Sequence, residues 1–138
     1  MNEQALRRRI VDTFQGYVGI RESGAENSGT LVSQFLQFAG INYPAEWCAS
    51  FFSYAMQGAV PEMLDPEHAV IRIREQYQEA GAFFTSGNVQ PGDAIFFTRG
   101  NEGWQGHIGV VESINRRDRI LYLLMVTEAA LKDREMVC

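Results

Sequence analysis

The chain has 138 residues, 46% hydrophobic and 21% charged, with four prolines, which describes one globular domain with one core and excludes a disordered or fibrous chain. The formal net charge is -5, and the short basic run Arg7-Arg8-Arg9 lies in a helical pattern where a solvated face accounts for it, so no nucleic-acid partner is expected. Two cysteines, Cys48 and Cys138, make no disulfide framework.

The opening stretch MNEQALRRRIVDTF is charged and amphipathic. It lacks the apolar core of a signal peptide, and no apolar run is long enough for a membrane span. The expectation is synthesis in the cytoplasm without a signal peptide. Leu6, Ile10, Phe14 and Val18 recur at helical spacing and predict a first helix over about residues 3–18. RESGAENSG is a polar loop. Thr30 opens a second helix carrying Leu31, Val32, Phe35, Leu36 and Ala39, which Gly40 stops. INYPAEW is extended, because Pro44 disfavours helix at Tyr43. A third helix is predicted from Cys48 to about Gln57, burying Ala49, Phe52, Ala55 and Met56. Asp65-Pro66 reads as a cap and first-turn proline, so a fourth helix should run on to about Ala80.

After SGNVQPGD the hydrophobic period changes. DAIFFT (93–98) and HIGVVESI (107–114) read as strands joined by the glycine-rich hairpin loop RGNEGWQG, and RILYLLMV after the turn NRRD reads as a third. Helices followed by an antiparallel sheet define the α+β class. The tail TEAALKDREMVC has helix-forming composition and predicts a surface helix.

Two residues carry candidate chemistry. Cys48 is predicted at a helix N-terminus, where free N–H groups favour the nucleophilic thiolate. His107 begins a strand between Gly106 and Gly109, which leave room for a substrate backbone; an imidazole there can take a proton and return it to a leaving amine. Each has a plainer reading. A cysteine before Ala49 and Phe51 is commonly core, and a histidine opening a strand is commonly structural, as His68 in PEHAVIRI is read here. Trp47 and Trp104 are core residues or cleft walls. The two histidines and two cysteines lack paired zinc-ligand spacing, and no Asp-rich calcium loop is present, so neither metal nor cofactor is expected.

Four stretches, GIRESGAENSGTLVSQFLQFAGI, EWCASFFSYAM, PGDAIFF and GHIGVVESI, occur in this order over about residues 19–120. Together they resemble the CHAP family, the cysteine, histidine-dependent amidohydrolases/peptidases of the papain-like NlpC group. The resemblance implies a papain-like fold with Cys48 as nucleophile and His107 as general base. It implies an N-acetylmuramoyl-L-alanine amidase or an endopeptidase acting on the stem or cross-bridge peptide of peptidoglycan, at the bacterial cell wall and in the manner of a phage lysin. Trp47, Trp104 and Gly106 are the candidate substrate contacts, and a monomer is expected. The Cys48 backbone N–H would help to hold the oxyanion. Pro91-Gly92-Asp93 would form the turn into the first strand, while Glu22 and Asn27 match positions near the cleft entrance, where a structural role is expected.

The likeness breaks at the third catalytic position. In the family, the residue that fixes the imidazole comes from a (D/E)-G-N stretch on the next strand, and the corresponding positions here are Leu124, Met125 and Val126. None offers a side-chain acceptor for the task. The next polar candidates are Thr127 and Glu128, and Glu128 is taken as the substitute orienter. A reading frame displaced by two bases can spell Asp-Gly-Asn across Leu124 to Thr127, so the chain past about Leu121 is expected to be translated out of the ancestral frame, with the usual final strands missing and a sheet edge exposed. Loss of the orienter predicts an impaired enzyme. The alternatives are a catalytically inactive wall-binding or interaction module, and a cysteine protease or transferase acting on a cytoplasmic protein.

Overall fold

The computed structural model describes residues 2–98, 106–127 and 130–137. Four helices, α1 (Glu3–Gln15), α2 (Thr30–Phe38), α3 (Cys48–Ala59) and α4 (Val70–Glu79), precede four strands, β1 (Ala94–Thr98), β2 (Gly106–Asn115), β3 (Ile120–Thr127) and β4 (Ala130–Val137). The strands form one sheet in the order β1-β2-β3-β4 with antiparallel neighbours. The α+β reading of the sequence describes the fold.

Helix α1 begins because the Asn2 side chain accepts the Ala5 N–H at 2.8 Å, an N-cap bond, and because Glu3 places an acid in the first turn. It buries Ile10, Val11 and Phe14. It ends at Gln15, before the expected Val18, because Tyr17, Val18 and Ile20 turn into successive short-range backbone bonds and Gly19 takes φ 98°. Helix α2 follows Gly29 and stops before Gly40, as its sequence predicts. Helix α3 is the central one, packing on α1, α2, α4 and β2. It buries apolar side chains on most of its circumference together with Ser50 and Ser53, as an interior helix must.

Helix α4 starts at Val70, later than Asp65-Pro66 predicts. The preceding backbone spends its polar groups on side chains instead: the Asp65 N–H and C=O bond the Gln76 amide, and the Glu67 N–H and C=O bond the Ser53 hydroxyl. With those groups satisfied, the first turn has no need to be helical.

The main core lies between the helices and one face of the sheet, where Ile108, Val110, Leu124 and Leu131 meet Phe14, Phe35, Phe52, Met56 and Ile73. The other sheet face carries a smaller cluster of Val111, Leu121 and Leu123, with Val89, Ile95, Phe97, Ile114 and Met125 packed against it.

The tail corrects two expectations. It is a strand rather than a surface helix, and the sheet does not stop at β3. Strand β3 leaves a row of unpaired backbone groups along its outer side, and β4 pairs with it from Ile120↔Val137 to Thr127↔Ala130. Ala130 and Leu131 enter the core. Leu131 also exchanges backbone bonds with the segment after α1, its N–H reaching the Ile20 C=O at 3.0 Å and its C=O accepting from Gly19 at 3.1 Å. Ladder bonds and burial override a helix propensity of a few tenths of a kcal/mol per residue, in order-of-magnitude terms.

Candidate active site

Cys48 is the first residue of α3 and is half-buried against the main core. The helix it opens carries no side-chain cap. Trp47 occupies the N-cap position without a side-chain cap bond, and the first helical bond runs from the Phe51 N–H to the Trp47 C=O at 2.8 Å. The amide groups of residues 48–50 therefore stand ahead of the helix's own ladder, which concentrates partial positive charge at the thiol.

His107 is the second residue of β2 and 7% exposed. It pairs with Phe97 across the β1–β2 ladder, and the two rings lie 6.4 Å apart. Alternation along β2 sends Ile108 and Val110 to the helix side, and His107, Gly109 and Val111 to the face carrying Phe97. The thiol thus belongs to the helix-side layer and the imidazole to the opposite sheet face.

What the two residues share is one end of the sheet. In the antiparallel order, the start of β2, the end of β3 and the start of β4 lie together. Ala130, at that end, forms an isolated bridge with Arg21. The next residue, Glu22, accepts the Trp47 indole N–H at 2.8 Å, and Trp47 adjoins Cys48. A short chain of bonds therefore ties the beginning of α3 to the end of the sheet where His107 sits, and α3 itself packs on β2.

The remaining predicted site residues divide. Trp47, expected as a cleft wall, is 2% exposed, stacked on Phe35 at 6.0 Å and edge-on to Phe51 at 6.4 Å. It packs as a core residue, the plainer of the two readings its sequence offered. Gly106 does not open space for a substrate: a Cβ there would lie 2.8 Å from Val70 Cγ1 and 3.2 Å from the Phe97 C=O, so its glycine serves the approach of α4. Gly109 likewise admits β3, since a Cβ would meet Met125 Cβ at 3.1 Å and the Leu124 C=O at 3.2 Å. Trp104, Glu128 and Cys138 lie outside the described residues.

The positions where an orienting group was sought are apolar and differ in direction. Leu124 is buried in the main core, Met125 stands opposite Gly109 and shares its face with His107, and Val126 packs on the helix side.

Sequence reasoning read Glu22 as merely structural and missed its bond to the residue before Cys48. The signal was present as a carboxylate in a polar loop and a buried indole donor that must find an acceptor, but nothing in the spacing paired them. The family model described as CHAP domain matches residues 39–125. No curated protein and no solved structure matches the chain.

Proposed function

The chain belongs to the CHAP domain family, whose members are generally cysteine-dependent amidases and peptidases, and from that premise we propose that it hydrolyses an amide in the peptide part of peptidoglycan, at the bacterial cell wall. The bond is either the N-acetylmuramoyl-L-alanine amide or a peptide bond of the stem or cross-bridge. Cys48 Sγ, as thiolate, attacks the carbonyl carbon while its proton passes to His107. The oxyanion that forms lies near the backbone amide groups at the start of α3. His107 then returns the proton to the departing nitrogen, the C–N bond breaks, and water hydrolyses the thioester to release the acid and regenerate the thiol.

The observation that supports this reading best is Cys48 at the N-terminus of a helix packed on β2, inside the matched segment. Proton transfer calls for the His107 ring to reach round the end of the sheet, where it opens β2 after Gly106. The test is release of free amines from purified peptidoglycan. Cys48→Ala and His107→Ala should each lower it by about 10³-fold or more, and unchanged release in both would overturn the assignment.

A second reading, a wall-binding module without catalysis, is favoured by one observation. Strand alternation sets His107 on the sheet face opposite the layer that holds Cys48. Peptide-resolved labelling with iodoacetamide at neutral pH separates the two. An activated Cys48 is alkylated much faster than Cys138, whereas equal slow rates with retained peptidoglycan binding support the module.

A further inference from the structure

We propose that Glu22 is a positioning residue that sets the start of α3 through the Trp47 indole; this rests on the reading of Cys48 as nucleophile. The Glu22 carboxylate is half-buried and uses both oxygens: Oε1 accepts from Trp47 Nε1 at 2.8 Å and Oε2 from the Asn27 N–H at 3.0 Å. Neither bond is part of a helix or strand ladder. One reaches across 25 positions to the residue immediately before Cys48, and the other holds a loop residue in the left-handed region, Asn27 at φ 57°.

The loop that carries Glu22 is itself braced. The Ser23 N–H donates to the Ser28 C=O at 2.8 Å, and Gly29 at φ 134° packs so closely on Ser23 that a Cβ would lie 3.0 Å from Oγ and 3.2 Å from N. On its other side, Arg21 bridges Ala130 of β4. Glu22 is therefore held between the sheet end and a closed turn, and it offers a fixed acceptor to a buried donor.

That donor matters because Trp47 is the N-cap residue of α3 and caps nothing with its own side chain. Its placement is set by the indole, stacked on Phe35 at one face and bonded to Glu22 at its edge. A shift of the Trp47 backbone, which these indole contacts oppose, would carry with it the peptide that enters Cys48 and the amide groups proposed to stabilise thiolate and oxyanion. Misplacement of about 1 Å in such a group can cost about 10²-fold in rate.

The experiment measures three quantities on the folded full chain: thermal stability, the pH midpoint of Cys48 alkylation by iodoacetamide, and kcat and KM on a soluble muropeptide. Glu22→Ala should lower kcat about 10- to 100-fold with KM within about twofold, and should move the alkylation midpoint up towards the ordinary thiol value of about 8.5. Glu22→Gln keeps an acceptor oxygen for the indole and should restore most of both. Trp47→Phe keeps a ring but removes the N–H; it should reproduce Glu22→Ala, and the double variant should be no worse than either single one.

An alkylation midpoint that stays put in Glu22→Ala, or strictly additive effects of Glu22→Ala and Trp47→Phe, overturns the proposal. Should Glu22→Ala fail to fold, Trp47→Phe decides on the same readouts. If the unaltered chain releases no amine from any muropeptide, the hydrolase reading fails, while the alkylation midpoints still decide whether Glu22 governs Cys48.

Discussion

At Gly92 the backbone sits at φ 89°, and a Cβ would lie 3.2 Å from Cα, Cβ and O of Arg7. Glycine is required there twice, by conformation and by the closeness of α1. The neighbours complete the joint: Arg7 Nη1 donates to Asp93 Oδ1 at 2.6 Å and to the Pro91 C=O at 3.1 Å, and Asp93 Oδ2 accepts the Gln90 N–H at 2.8 Å. Gly92→Ala should therefore lower stability by about 1–3 kcal/mol, read as a lower urea midpoint at unchanged slope. The Pro-Gly-Asp motif is a clasp between the first helix and the first strand, in keeping with the structural role that the family resemblance implied. Nearby, Tyr77 packs edge-on to Phe96 at 5.6 Å, and burial, aided by the charge of Asp93, pushes its hydroxyl up to about 12. An unfolded tyrosine ionises near pH 10. Between about pH 10 and 12 the unfolded chain thus binds fewer protons at this group than the native one, so its contribution to stability falls as pH rises. Replacing Tyr77 by Phe should remove that part of the alkaline loss, measured as a smaller shift of the urea midpoint between about pH 9 and 11.

Between secondary-structure elements, the informative contact is Gly106 against Val70. The first residue of α4 fills the space beside the first residue of β2, immediately before His107. Gly106→Ala should cost about 1–3 kcal/mol by overpacking, and Val70→Ala in the same chain should recover part of it, a coupling that a double-mutant cycle of urea midpoints would display. Absence of coupling would mean that the glycine serves something other than this helix. The same pair shows why the site was only partly legible. Glycines flanking a histidine look alike whether they admit a substrate or a neighbouring element, because a sequence records the missing side chain and not what occupies its place. Cys48 at a helix start was legible, since Pro44 stops anything helical before it and the apolar spacing begins just after it. The layer to which His107 points was not, because every residue from His107 to Val111 is buried and no polar alternation marks one face.

For the molecule as a whole, stability depends on the last strand. Leu131, 1% exposed, joins the core that the helices build, and its backbone bonds the segment after α1. Leu131→Ala should cost about 2–5 kcal/mol as a cavity in that core. A chain ending at Thr127 should bare the β3 edge and associate, seen as mass increase in light scattering with loss of a single cooperative thermal transition. A truncated chain that stayed monomeric with an unchanged transition would show that β4 adds nothing to the fold. By itself the sequence determined the four helices, the first three strands and the α+β class, because those rest on apolar periods and on prolines and glycines that act within a few residues. Only the tertiary structure decided that the polar tail is a strand, that Gly106 and Trp47 serve packing, and that Glu22 holds the residue before Cys48. Those outcomes depend on an unpaired strand edge, a filled space and a buried donor, each supplied by chain distant in sequence.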